Sequence, residues 1–422
     1  MKTRLLYIVV IFAMVLAACT PAATPTEAPT VAPQPTAEPT LAPAPTDTTP
    51  DACASDSFGC AKIEPGNTIK IGMGAPMTGD NANFGIDISQ GGQIAVSDAG
   101  DFQGFKFELV TEDDGGTPEG GAAVANKLVA DPTMVAIAGH IFSGATEAAM
   151  PIYEKAGLPM LSPSATNPPL TQKGSKVFNR IAFTDATQGK FAGEYLYNKL
   201  GVKKLAIMHD GQAYGQGLAQ VVKDTFSSLG GEVTDFEAIT PGEADYSAPL
   251  SAIAAKSPQA LYYGGYIQEA VVLVNEMKST GLTNTIFFGC DGTYGKDFID
   301  RTKANGESAY AVSLVPPASD AKTKFDEAYK AKFGQAPGVL SPFTWNGYDV
   351  VAALIYAVKS VAIMGGDGNL YIPRGALVAA VRGLKDYHGL TGVFTCDATG
   401  ECNSTGPIFY IVKDSQWVPA DK

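Results

Sequence analysis

From Asn67 onward, short runs rich in β-branched and aromatic residues alternate with longer stretches whose apolar positions recur every three or four residues. The pattern predicts strands at Ile69–Gly74, Phe105–Val110, Met134–Ala138, Lys204–His209, Ala260–Gly264 and Thr285–Gly289. Between them it predicts helices at Phe84–Ala99, Pro118–Ala130, Gly144–Ala156, Gln188–Leu200, Gly215–Leu229 and Ile267–Thr280. Several helices run out at a glycine (Gly157, Gly201, Gly230, Gly281), where a left-handed C-cap costs least. Strict alternation implies parallel, doubly wound sheets, and the units are too many for one sheet, so two α/β lobes are expected. Ligands of such sheets lie at the carboxyl ends of the strands.

Upstream the pattern changes twice. Residues 1–18 carry Lys2 and Arg4 ahead of an apolar stretch, Leu5 to Ala18, that is too short for a comfortable membrane span. The run ends Leu16-Ala17-Ala18-Cys19, which resembles a bacterial lipobox. That resemblance implies cleavage before Cys19 and lipidation of its thiol; the alternative is an ordinary secretory signal cut near Ala18. Either way the mature chain is expected outside the cytoplasm. Residues 21–50 then hold nine prolines and eight threonines, a composition that stays extended and solvated. At ~3.1 Å per residue this segment spans on the order of 90 Å. Residues 19–66 are therefore read as a lipidated cysteine and tether.

Composition narrows the function. The chain has 422 residues, 45% of them hydrophobic and 17% charged, enough to bury sizeable cores. Its net charge is −13, and loss of residues 1–18 removes two basic side chains and no acid, leaving −15. An acidic chain is a poor nucleic-acid ligand. Three histidines and six cysteines, with no close His/Cys cluster, give no zinc pattern. No cofactor is expected either: Ile71-Gly72-Met73-Gly74 begins like a dinucleotide loop, but Met77 stands where the third glycine belongs. His140 lies near Ser143 without a nucleophile elbow. Glu112-Asp113-Asp114 reads equally as a cation site or as a strand end with a helix-capping aspartate. Cys53 and Cys60, and Cys396 and Cys402, are close enough in sequence to close small loops, with connectivity left open. Cys290 is then the odd thiol, read as a small buried hydrophobe rather than a nucleophile.

Several segments, in order, resemble the extracytoplasmic solute-binding proteins of branched-chain amino acid ABC transporters. They include Asn83-Phe84-Gly85, Thr111-Glu112-Asp113-Asp114, Gly139-His140-Ile141-Phe142-Ser143-Gly144, Ser162-Pro163-Ser164-Ala165-Thr166-Asn167-Pro168, His209-Asp210-Gly211-Gln212-Ala213-Tyr214-Gly215 and Tyr262-Tyr263-Gly264-Gly265-Tyr266. The resemblance runs from about Thr68 to Thr391. It implies a type I periplasmic-binding fold, two parallel-sheet lobes joined by hinge crossovers. One lobe is expected from 67–184 plus 313–390, the other from 185–312 plus 391–422. It also implies a monomeric, non-enzymatic receptor that closes on a free amino acid and presents it to the transmembrane subunits of an ABC permease.

Carried over position by position, the resemblance places the ligand carboxylate on Ser143 and Thr166, with Ser164 and Ala165 supplying mainly backbone. Hydroxyls beside a helix start suit an anion. Ser143 also reads as a simple N-cap, and Thr166 as a turn residue. The ammonium needs an acid in a closed cleft, and Asp291 is the candidate, with Asp185 as a second that also reads as a turn or capping residue. Asp291 stands where relatives carry glutamate. Phe84, Tyr214 and Tyr266 are expected against the ligand side chain, Phe84 where relatives often have tyrosine. A disulfide that some relatives place near the serine is absent, because Gly115 and Phe142 occupy that region. The rivals are the same fold binding a short amide, urea, hydroxy acid or aromatic acid, a sensory receptor, and a hydrolase for which no catalytic motif was found.

Overall fold

The computed structural model describes residues 49–402 and 406–421. Cys19, the leader and most of the expected tether lie outside them. Two sheets form the scaffold. The first has five strands, all parallel, in the order Phe107–Asp113, Ile69–Ala75, Met134–Ile137, Met160–Ser162 and Phe178–Arg180. The second has seven: Gln416–Pro419, Ile408–Lys413, Tyr310–Ser313, Ile286–Phe288, Ala260–Gly264, Lys204–His209 and Glu232–Ala238. It is parallel except where the last two strands of the chain add on antiparallel. Central strands such as Met134–Ile137 and Ala260–Gly264 are buried at every residue, as helices on both faces require.

The chain enters the second lobe after Phe178–Arg180, returns after Tyr310–Ser313 and crosses again between Cys402 and Ile408. After the return, helix Thr344–Val361 packs along helix Ala82–Ala99. Their backbones touch: a Cβ on Gly91 would lie 2.2 Å from Thr344 O, and one on Gly347 would lie 2.2 Å from Ile88 O. Glycine at both positions is what allows the approach.

Two expected boundaries are corrected. The tether does not extend to residue 66. Residues Asp51–Ser55 form a helix, a disulfide joins Cys53 to Cys60, and Cys60–Ile63 pairs antiparallel with Leu370–Pro373. The Asp56 carboxylate accepts from Gly375 N and Ala376 N at 3.0 and 3.1 Å, fastening this segment to the start of helix Arg374–Arg382. Nor does the chain leave the first lobe at 391. Thr391 N and Oγ1 donate to buried Asp349 at 2.8 and 2.6 Å, and the Cys396–Cys402 loop bridges to Arg180. Only the strand pair after residue 406 joins the second sheet.

Candidate functional site

The first-lobe wall is built at two strand ends. Beyond Met134–Ile137 the chain passes Phe142, in extended conformation, into helix Ser143–Ala156. Ser143 is therefore the first helical residue rather than the cap. Its hydroxyl accepts from Asn167 N at 3.2 Å, joining this helix start to the next loop. That loop follows Met160–Ser162. Ser162 Oγ donates to His140 O at 2.7 Å and accepts from Ala165 N at 3.0 Å, while Ser164 Oγ donates to Ile141 O at 2.8 Å. Two adjacent strand ends thus carry hydroxyls and backbone groups beside one helix N-terminus, an environment suited to an anion.

The second-lobe wall carries acid. Asp291 lies just beyond Ile286–Phe288 and is 3% exposed. Its Oδ1 accepts from Tyr214 OH and from Gln188 Nε2, the latter at 2.7 Å, and its backbone N donates to Gln188 Oε1 at 3.0 Å. Gln188 therefore fixes both the main chain and the side chain of Asp291. Burial pushes the Asp291 carboxyl above its ordinary range, against the hydrogen bonds from Tyr214 and Gln188. Asp185 is fully buried at the start of helix Asp185–Glu194, whose cap is Thr184, and its Oδ2 has no hydrogen-bond partner of good geometry. Its carboxyl is held well above the carboxylate range, first by burial and then by the charge of Asp291. Cys290 is buried and its Sγ donates to Gly265 O at 3.2 Å; burial raises the thiol, so it packs as an inert hydrophobe.

Between the walls lies a small, nearly closed cavity lined by Phe84, Ile141, Phe142, Ser143, Ser164, Tyr214, Tyr266, Asp291, Gly292 and Phe343. Phe142 of the first lobe stacks on Tyr266 of the second, centroids 4.2 Å apart at 15°. Phe84 meets both edge-on, at 5.8 and 6.2 Å, and Tyr214 lies 5.3 Å from Tyr266. Gly116 leaves room for the Phe142 ring, since a Cβ there would come within 2.7 Å of it. Away from the cavity, Asn83 Nδ2 donates to Asp297 Oδ2 at 2.6 Å and Asn167 Nδ2 donates to Ala213 O, so polar contacts also cross between the lobes.

Of the residues singled out in the sequence, the structure brings Phe84, Ser143, Ser164, Tyr214, Tyr266 and Asp291 to this one cavity. Ala165, Thr166 and Asp185 are fully buried and lie outside its lining. Sequence reasoning missed Phe142 and Phe343 as lining residues, and Gln188 as the support of Asp291. Phe142 had a readable signal in its position directly before Ser143, and Gln188 in lying three residues, one helical turn, after Asp185. The acidic run is used structurally. The Asp113 carboxylate accepts from Met77 N and Gly115 N, each at 2.9 Å, and Asp114 pairs with His140 Nδ1 at 2.7 Å. Among the described residues no acidic or His/Cys group is arranged to hold a metal ion.

Comparison with known proteins agrees with this geometry. The family model described as periplasmic binding protein matches residues 68–416. An amino acid binding protein of Pseudomonas aeruginosa is 38% identical over 304 residues, 71% of this chain and 78% of the relative. The Leu/Ile/Val-binding protein of Escherichia coli is 33% identical over 293 residues, 68% of this chain and 78% of the relative. Among solved structures, a branched-chain amino acid transporter substrate-binding protein of Streptococcus pneumoniae in complex with isoleucine superposes with a TM-score of 0.73 at 29% identity, covering 83% of this chain and 98% of the other. A leucine-binding protein of Thermotoga maritima gives 0.75 at 28% identity, covering 83% and 97%.

Proposed function

The chain belongs to the periplasmic binding protein family, and from that premise we propose that it captures a free apolar amino acid, branched-chain first, for an ABC importer. It is a binding protein and not an enzyme, and the family works outside the cytoplasm. Among the described residues no helix is long and apolar enough to cross a membrane. The observation that carries the amino acid reading is Asp291. It is a buried carboxylate on the wall of a small aromatic cavity, with neutral hydrogen-bond donors and, among the described residues, no ion-pair partner. A ligand ammonium supplies the missing charge.

In this reading the Ser143 hydroxyl receives the ligand carboxylate and Ser164 offers mainly backbone, its hydroxyl being given to Ile141 O. Thr166, also expected on the carboxylate, and Ala165 lie outside the cavity lining and shape the loop behind it. Asp291 pairs with the ammonium, held in place by Gln188, behind which Asp185, the second expected acid, lies outside the cavity lining. Phe84, Phe142, Tyr214 and Tyr266 enclose an apolar side chain. The names of the relatives, which refer to leucine, isoleucine and valine, support that choice. Cleavage before Cys19, lipidation of that residue and a Pro/Thr tether keep the lobes beside their permease, where tethering raises effective concentration. The protein acts as a monomer, closing by hinge motion between lobes at 51–184 with 313–402 and 185–312 with 406–421.

The test is calorimetric titration of protein refolded free of carried-over ligand, against leucine, isoleucine, valine, short amides, urea and aromatic acids. Saturable binding of a branched-chain amino acid, lost in Asp291→Asn, supports the reading. Heat from an amide or aromatic acid with silence toward every amino acid overturns the substrate.

A further inference from the structure

We infer that the disulfide-closed loop Cys396–Cys402 is a clamp that positions the pocket loop around Thr166, acting through Glu401 and Arg180; the role toward a ligand rests on the amino acid reading above. Arg180 ends the strand Phe178–Arg180 and is fully buried. Its guanidinium faces two ways. Toward the C-terminal loop, Nε donates to Glu401 Oε2 at 2.9 Å and Nη2 to Glu401 Oε1 at 2.5 Å, a two-pronged ion pair. Toward the pocket, Nη1 donates to Ala165 O at 3.0 Å and to Asn167 O at 2.7 Å. One nitrogen therefore holds the carbonyls on either side of Thr166, and the amide of Asn167 is the donor that reaches Ser143.

Glu401 is itself held by its loop. The Asp397 carboxylate accepts from Thr399 N, Gly400 N and Glu401 N at 2.8, 3.0 and 3.1 Å, and the disulfide closes the base. The main chain is stitched to the same strand, Arg180 N donating to Gly400 O and Cys402 N to Arg180 O, both at 2.9 Å. Gly400 has φ +97°, and a Cβ there would lie 2.3 Å from Phe178 O, so this approach needs glycine. Loss of the Glu401 charge leaves a buried guanidinium without its partner. Arg180 then loses the anchor that aims Nη1 at the two carbonyls, and the loop bearing Thr166 is released.

The other disulfide is an internal control. Cys53–Cys60 closes a loop of similar span, seven residues against six, but is fastened to the strand Leu370–Pro373 and helix Arg374–Arg382. Among the described residues no hydrogen bond joins residues 53–60 directly to Arg180, Glu401 or residues 164–167; the connection runs the length of helix Arg374–Arg382 to Arg382, which donates to Ala398 O and Phe178 O.

The test compares the wild type with Glu401→Gln, with Cys396→Ala/Cys402→Ala, and with Cys53→Ala/Cys60→Ala. It reads amide hydrogen exchange at 164–167 and the affinities for leucine and for leucinamide. In the first two variants exchange at 164–167 is expected to rise about ten-fold or more and leucine affinity to fall by a similar factor, because the buried Arg180 guanidinium loses Glu401 outright in one and the loop that holds Glu401 in place in the other. Because the loop serves the carboxylate, the preference for leucine over leucinamide narrows, which a general loss of stability does not produce. The control variant shows neither change. If the double cysteine variant fails to fold, Glu401→Gln carries the test alone. Unchanged exchange and affinity in Glu401→Gln, or equal changes in the control, overturn the clamp. If the wild type ignores leucine, the amino acid reading fails, while exchange at 164–167 still decides whether the clamp holds the loop.

Discussion

Two pairs of buried carboxylates show how framework and cleft differ in this molecule. Asp87 and Asp349 sit on the paired helices of the first lobe, and each is fully satisfied. Asp87 accepts from Tyr329 OH, Ser341 Oγ and Thr344 Oγ1 at 2.6, 2.8 and 2.5 Å. Asp349 accepts from Leu390 N at 2.7 Å and from Thr391 N and Oγ1. Burial lifts both to about 6, with those hydrogen bonds pulling the other way. Asp185 and Asp291 are as deeply buried but share one glutamine amide, raise each other's cost of ionisation, and leave Asp185 Oδ2 unpaired. Framework acids are satisfied by hydrogen bonds from the chain alone; of the cleft acids, Asp185 feels the charge of Arg180, while Asp291 is the one that the proposed reading completes with a ligand cation.

The largest expected effect breaks the cleft pair. Asp291→Asn keeps the shape and removes the charge, and leucine affinity is expected to fall by about 2–5 kcal/mol, the cost of truncating one partner of a buried charge pair. Unchanged affinity in titration removes Asp291 from the site. A pH signature accompanies it. With the free carboxyl raised, an arriving ammonium favours the ionised form, so binding releases a proton and tightens as pH rises above the ordinary carboxylate range. Calorimetry in buffers of different ionisation enthalpy detects that proton. Uptake instead of release contradicts the assignment.

The framework pair predicts a smaller effect on a different observable. The folded Asp349 carboxyl, raised from 3.8 to about 6, binds its proton more tightly than the unfolded one does. Its contribution to stability is therefore fully present below the unfolded value and lost as pH rises through about 6, on the order of 3 kcal/mol. Asp349→Asn should abolish that part of the pH dependence in denaturant unfolding and leave leucine affinity unchanged. An identical slope in variant and wild type would show that the group is not the source.

What the sequence reveals follows the same division. Lys204–His209 and Ala260–Gly264 were legible to the residue because nearly every position in them is buried. Met160–Ser162 and Phe178–Arg180 are too short for any period to register, and Glu232–Ala238 is a polar edge strand. Residues 51–63 were read as tether because the proline-rich composition next to them masked a four-residue strand held by a disulfide. Within the site, the family resemblance named Ser143, Tyr266 and Asp291, which also stand where the strand-end rule looks for a ligand. Gln188 lies 103 residues from Asp291 and Arg180 lies 221 from Glu401, and no local pattern carries such pairings. Phe142 was seen only as the residue in place of a missing disulfide, although its ring stacks on Tyr266 from the opposite lobe.

That stack gives the smallest of these effects and the sharpest view of the cleft as a joint between lobes. Phe142 touches Tyr266 face to face and Phe84 edge-on, and neither contact involves the carboxylates. Phe142→Ala should therefore cost leucine about 1–2 kcal/mol, the worth of a lost aromatic pair with part of its apolar burial. Because the ring spans the lobes, the loss should appear mainly as faster dissociation in stopped-flow measurements, with association nearly unchanged. The cavity also widens toward Gly116, so larger side chains such as phenylalanine should lose less affinity than valine. Proton release on binding should be unaltered, since Asp291 keeps Tyr214 and Gln188. A variant that binds valine and phenylalanine with equal losses would reduce Phe142 to a packing residue and leave size selection to the second lobe.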